Sequence, residues 1–170
     1  MIIPVLHTPR LILRAFGADD VDEYACILAD PDVTRFLGDG APLGADAAWR
    51  QLAMLIGHWE LRGFGMWAVE ERASGRIIGR IGCFEPEGWP GFELGYVLAR
   101  EAWGHGYARE GATVALRHAQ VELAQPRVIS LIRPENVASI KVATSLGAHL
   151  VERTVLLGGP SDVYEYPGRP

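Results

Sequence analysis

The stretch Phe92–Leu123, FELGYVLAREAWGHGYAREGATVALRHAQVEL, changes its periodicity halfway along, and that change decides how the chain folds. Phe92, Leu94, Tyr96 and Leu98 alternate with Glu93, Gly95 and Val97, the period of a strand with two unlike faces. From Ala108 onward, Ala112, Ala115, Ala119 and Leu123 fall on one helical face, with Leu116 beside it. Between the two patterns lies Trp103-Gly104-His105-Gly106-Tyr107-Ala108. Glycine has no Cβ, so a ligand can come close to the backbone and φ can turn positive. The following helix points its unpaired N–H groups and the positive end of its dipole back into this loop. Such a corner suits an anion, phosphate best of all. A tight connection would use the same glycines, so the rest of the chain must decide between the two readings.

This segment resembles the acyl-CoA binding motif of the GNAT N-acetyltransferases, Gln/Arg-x-x-Gly-x-Gly/Ala. Gly106-x-Ala108 supplies its second half, and Trp103 stands where Gln or Arg is usual, as in the Rim-type ribosomal-protein alanine N-acetyltransferases. Thr8-Pro9-Arg10-Leu11-Ile12-Leu13-Arg14, and Asn136-Val137-Ala138-Ser139 through Leu146-Gly147, resemble the same branch. The resemblance implies an α/β (α+β) GNAT fold: one mixed, mostly antiparallel sheet of about seven strands, splayed at a central parallel pair and flanked by helices. It implies acetyl transfer from acetyl-CoA to a primary amine, on a protein N-terminus or a small molecule. The coenzyme would be held by the backbone around Val97 and Leu98, by Trp103, Gly104, His105, Gly106, Tyr107, Ala108 and Arg109, and by Asn136 and Ser139. Many relatives carry a tyrosine seven residues after that asparagine to protonate the leaving thiolate; Ala143 occupies the position here. Ser139 is the candidate in its place, with water, Tyr164 or Tyr166 as alternatives.

Bulk properties agree with one acyl-CoA binding domain over residues 1–170. A chain of this length, 49% hydrophobic and 22% charged, can bury one substantial core. Its net charge of −5 carries no footprint for nucleic acid. Cys26 and Cys83 read as small buried hydrophobes of a reducing compartment, not as a disulfide framework. The start MIIPVLHTPR lacks the marks of a signal peptide, and no apolar run is long enough to span a membrane, so a cytoplasmic monomer or homodimer is expected. No histidines and carboxylates have metal-ligand spacing, so no metal is expected.

The other elements follow from period and punctuation. Arg10–Phe16 alternates as a first strand, and Asp19 or Asp20 can cap a helix running to Ala29, which Pro31 stops. Asp32–Leu37 reads as a short helical piece. Ala45–Arg62 is the longest helix, with Trp49, Leu52, Ile56 and Trp59 on one side, read as core packing. Phe64–Glu70 and Arg76–Phe84 form a hairpin about Gly75. Val128–Ile132 is a buried-type strand, Asn136 caps a last helix ended by Gly147, and His149–Leu156 pairs with Asp162–Tyr166.

Glu93 is the candidate catalytic base. An aliphatic amine is mostly protonated near neutrality, so attack on a thioester needs a proton acceptor. Glu93 lies on the strand face opposite Phe92 and Leu94, and burial there would raise its pKa to suit. A solvated polar residue or an arginine partner would look the same. His58, His105, His118 and His149 are weaker candidates, His118 reading as a helix-surface residue. The alternative to an enzyme is a non-catalytic acyl-CoA-binding module on the same fold, which thiol release across a panel of amines would distinguish.

Overall fold

The computed structural model describes residues 2–168. Its strands are β1 (Leu6–His7), β2 (Leu11–Arg14), β3 (Met66–Glu71), β4 (Ile77–Phe84), β5 (Glu93–Leu98), β6 (Ile129–Ile132), β7 (His149–Leu156) and β8 (Gly159–Glu165). Its helices are α1 (Val21–Leu28), α2 (Pro31–Thr34), α3 (Ala45–Arg62), α4 (Tyr107–Val121) and α5 (Val137–Ser145). The strands form one eight-stranded sheet in the order β1-β2-β3-β4-β5-β6-β8-β7. Every neighbouring pair is antiparallel except β5–β6, which is parallel.

Each inner strand feeds two cores by alternation. Met66 and Ala68 of β3 join Tyr24 and Leu28 of α1 and Leu52 and Leu55 of α3. Trp67 and Val69 join Ala112, Ala115 and Ala119 of α4. Small residues let α4 approach the sheet closely: a Cβ on Gly111 would lie 2.5 Å from Ile81 Cδ1. The strand period thus places the odd residues of β5 toward α1 and α3 and the even ones toward α4.

Several expectations shift. To the seven strands expected, the structure adds β1, a two-residue strand against Leu13 and Ile12 too short to leave a periodic signal. β8 starts at Gly159, ahead of the expected Asp162. Pro160 is tolerated because it lies beyond the reach of β6, which meets β8 from Asp162 onward. The α3 stripe divides: Leu52 and Trp59 are buried, but Trp49 and Ile56 are exposed. The buried face centres on Ala48, Leu52, Leu55 and Trp59, so those two residues fall on its flank. Cys26 is exposed, because α1 buries Tyr24, Ile27 and Leu28 and turns the cysteine outward; Cys83 is buried. Asp20 does not cap α1 through its side chain. Its carboxylate instead takes the Arg14 guanidinium at 2.8 Å and the Gly17 N–H at 2.8 Å. Burial pushes that carboxyl up, but these partners outweigh it and hold the pKa below the usual range.

Candidate active site

β5 and β6 are the two parallel strands, and they part almost as soon as they meet. Their registered pair is Glu93 with Ile129, whose N–H donates to Phe92 O at 3.0 Å. The next carbonyl, Leu94 O, is taken by the Ser130 hydroxyl at 2.6 Å. A side chain has replaced the ladder there, and beyond it β5 continues against β4 alone, out to Leu98. Ladder alternation then fixes which amides face the gap. Ala99 N–H donates to Ile78 O at 2.8 Å, so Val97, paired with Arg80, also turns its N–H to β4. Tyr96 and Leu98 turn theirs into the gap. An exposed edge of this kind can pair with an extended, amide-bearing ligand.

Gap and loop meet at the end of β5. Gly104 and Gly106 both have φ of +79°, a conformation that costs glycine nothing. Gly106 is the N-cap of α4 and supplies no side-chain cap, so the first N–H groups of α4 have no protein acceptor from it. His105 and Arg109 are exposed; Tyr107 and Ala108 are half-buried. The Trp103 indole folds back so that Nε1 donates to Leu98 O at 2.9 Å. The Thr8–Arg10 stretch braces this corner from across the chain. Thr8 Oγ1 donates to Glu110 at 2.6 Å, Arg10 Nε to the same carboxylate at 2.6 Å, and an Arg10 NH group to His105 O at 2.8 Å. The Arg10 guanidinium also lies 4.5 Å from the Tyr107 ring centroid.

Glu93 sits on the α1–α3 side of β5, half-buried, and accepts from Trp89 Nε1 at 2.7 Å. Burial pushes its carboxyl up to about 7, against the Trp89 hydrogen bond and the Arg80 charge, which pull it down. Its proton therefore exchanges near neutrality, as a base for amines requires. The histidines offer less. His58 is buried, with Nδ1 donating to Phe64 O at 2.8 Å and Nε2 accepting from Glu85 N–H at 3.1 Å, so both nitrogens are engaged. His118 packs its ring against Trp67 and is half-buried, not a surface residue. His149 lies on exposed β7.

On the far side of the gap, Asn136 caps α5 by accepting from Ser139 N–H at 3.2 Å. The Tyr96 hydroxyl crosses from β5 to donate to Ser139 O at 2.9 Å, fixing the first turn of α5 beside the opening. Ser130 spends its proton on Leu94 O, so the Tyr166 hydroxyl, 2.8 Å away, donates to Ser130. Burial pushes Tyr166 up to about 12, and Tyr164 is buried as well. Ala143, at the position of the absent tyrosine, is buried.

With this geometry in place, residues 10–149 match the family model for the acetyltransferase (GNAT) domain. The chain belongs to the GNAT acetyltransferases. Members are acyltransferases that use acetyl-CoA. The chain is 30% identical over 156 residues to the FsC-acetyl coenzyme A-N(2)-transacetylase of Aspergillus fumigatus, spanning 88% of this chain and 66% of that one. It is similar to a solved acetyltransferase from Agrobacterium tumefaciens, with a TM-score of 0.86, 30% identity and coverage of 98% and 96%. RimL, a ribosomal α-N-protein acetyltransferase in complex with coenzyme A, shares the fold, with a TM-score of 0.77, 19% identity and 96% of each chain covered.

In this GNAT chain three groups of residues escape a reading of the sequence. Ser130 shapes the splay, and its only signal is a hydroxyl inside the apolar run Val128–Ile132. Tyr96 looks like one more apolar member of its strand, yet its hydroxyl bridges to α5. Glu110 binds residues about 100 positions upstream, beyond any local pattern. Among the described residues no group of three or more His, Cys, Asp or Glu is placed to hold a metal ion. No described helix is long and apolar enough to cross a membrane.

Proposed function

We propose that this chain transfers the acetyl group of acetyl-CoA to a primary amine by direct attack in a ternary complex, with Glu93 as the base. One observation carries the reading: Glu93, half-buried and titrating near neutrality, lies on the strand whose next amides, Tyr96 and Leu98, face the gap. The substrate's phosphates would lie against the N–H groups of Gly104–Arg109, where glycines leave room and the helix dipole is positive. Its pantetheine amides would pair with the open edge of β5 beside Asn136 and Ser139. The Leu98 N–H would then face the thioester oxygen and stabilise the charge that develops there. Trp103 contributes its exposed ring, since its donor is engaged with Leu98.

The amine nitrogen bonds to the acetyl carbon, the C–S bond breaks, and the proton lost by nitrogen goes to Glu93 through ordered water, since Leu98 lies at the other end of β5 from Glu93. The departing sulfur takes a proton from the Ser139 hydroxyl or from water. The acceptor is a protein N-terminus or a small amine; RimL, named for α-N-protein acetylation, supports the former class. Thiol release from acetyl-CoA across a panel of peptide N-termini and small amines tests the reading. Release that depends on an amine supports it. Tight coenzyme binding with no release from any amine replaces it with a non-catalytic binding module.

A further inference from the structure

β4 reads IIGRIGCF, an apolar inner strand with a cation in its middle. Paired residues of antiparallel strands share a face, so Arg80 with Val97, Gly82 with Gly95, and Phe84 with Glu93 form one patch on the α1–α3 side. Arg80 and Glu93 stand at opposite ends of that patch, four residues apart in register, roughly 13 Å of strand. Two facing glycines lie between them. A Cβ on Gly95 would come within 2.7 Å of Met66 Cε, so the flexible Met66 thioether lies across this floor.

Arg80 is half-buried, and its Nε is a buried donor with no hydrogen-bond partner among the described residues. It takes part in none of the described ion pairs. Arg14, also half-buried, has two carboxylates, Asp20 at 2.8 Å and Glu70 at 2.7 Å. The rest of the Arg80 guanidinium has the Tyr24 phenol oxygen as its partner, while the phenol proton goes to Gln51 Oε1 at 2.6 Å, and Nε is left over. Glu93 acts on Arg80 only from the far end of the patch, so the guanidinium is drawn partly out of water with no paired carboxylate, and its unsatisfied Nε, on the face that carries Glu93, calls for a ligand.

We infer that Arg80 receives an anionic group of the acceptor, so that the acceptor amine carries a carboxylate within a few bonds of the reacting nitrogen. Amino acids and peptide N-termini followed by an acidic residue meet that description. Nε and one Nη form a planar fork that matches a carboxylate in two hydrogen bonds. The same charge disfavours polyamines, which bring further cations, and favours the reacting amine in its neutral form. The inference rests on the acetyl-transfer reading and narrows it.

The test compares matched acceptors with acetyl-CoA: an amino acid against its amide, and the dipeptide Gly-Asp against Gly-Asn. The wild-type protein is expected to favour an acid over its neutral partner by tenfold or more in kcat/KM. Arg80→Gln should erase that ratio; because losing the charge also acts on Glu93, the acid-to-neutral ratio and not the absolute turnover is the readout. Preference in the first pair marks a free amino acid as acceptor, and in the second a peptide. Equal turnover of acids and neutral partners by the wild type overturns the inference and leaves acetyl transfer standing. Should Arg80→Gln fail to fold, the wild-type ratio decides, with Arg80→Lys, which keeps charge without the fork, expected to lower it. If no amine is turned over, the acetyl-transfer reading fails, and titration of an N-acetylated amino acid into the CoA-saturated protein decides separately. Binding weakened tenfold in folded Arg80→Gln supports the anion site; no binding, or equal binding in both proteins, overturns it.

Discussion

Burial of the Glu93 carboxyl opposes folding as well as preparing it for proton transfer. Its pKa rises from 4.5 unfolded to about 7 folded, so the native state holds the proton more tightly. That contribution is fully present below 4.5 and is lost as pH rises to about 7. The loss amounts to about 3 kcal/mol. Glu93→Gln keeps the size and the acceptor for Trp89 but cannot ionise. Thermal unfolding should therefore show it more stable than wild type at pH 8 and nearly equal at pH 4. Its kcat/KM should fall about 10²–10⁴-fold at neutral pH, with part of the loss recovered at higher pH as more amine arrives neutral. A stable variant with a wild-type pH profile moves the base elsewhere. Gly106 makes a different demand: at φ +79° a β-branched residue is strained, and its methyls would crowd the loop. Gly106→Val should weaken CoA binding by tenfold or more in calorimetric titration, and unchanged affinity in the folded variant removes the phosphate-loop assignment.

At the scale of elements, the splay depends on what holds β5 and β6 where their ladder ends. Ser130 is 2% exposed and satisfies Leu94 O and Tyr166 at once. Ser130→Ala leaves both without that partner and should cost about 1–3 kcal/mol in urea unfolding. A cost below a few tenths of a kcal/mol means that water replaces the hydroxyl. The N-terminal brace is the second case. Arg10, just ahead of β2, ties that stretch to the loop and to α4 through His105 O, Glu110 and Tyr107. Its side chain is 47% exposed, so its electrostatic share in stability is screened. Arg10→Ala should therefore act on the coenzyme site more than on the fold, raising the KM for acetyl-CoA severalfold with little change in Tm. The reverse pattern would make the brace purely structural.

Across the whole molecule, carboxylates brace the N-terminal segment and set its response to acid. Asp20 joins Arg14 of β2 at 2.8 Å, and Glu110 joins α4 to Thr8 and Arg10. Burial opposes ionisation of both, but their partners prevail and hold both pKa values below the ordinary range. Their stabilisation is present above that range and lost as pH falls through the lowered values. Stability should thus decline on the acid side below about pH 4, while Glu93 tilts the profile the other way between 4.5 and about 7. Asp20→Asn should flatten the acid limb and cost about 1–3 kcal/mol at pH 7, read from urea midpoints across pH. An unchanged acid limb would locate it in other carboxylates.

The sequence by itself determined what short-range chemistry controls. Side-chain period located most strands and the helices α3 and α4, while candidate caps and the following proline or glycine placed α1 and α5. The turn from a two-residue to a helical period at Phe92–Leu123 named the central unit, because strand and helix geometry impose those periods locally. Asn136 as a cap was legible for the same reason. Tertiary structure decided everything that depends on which surfaces meet. Trp49 and Trp59 read as one stripe, and only the packing of α3, whose buried face centres on Ala48, Leu52, Leu55 and Trp59, buries one and exposes the other. Val97 and Leu98 are neighbours, but the register with β4 turns one amide inward and the other to the gap. Ser130, Glu110 and Arg80 are single polar residues whose partners, or lack of them, lie across the fold. Such contacts follow from long-range packing, where the free energy of burial and pairing is distributed over segments far apart in sequence, and no local pattern records it.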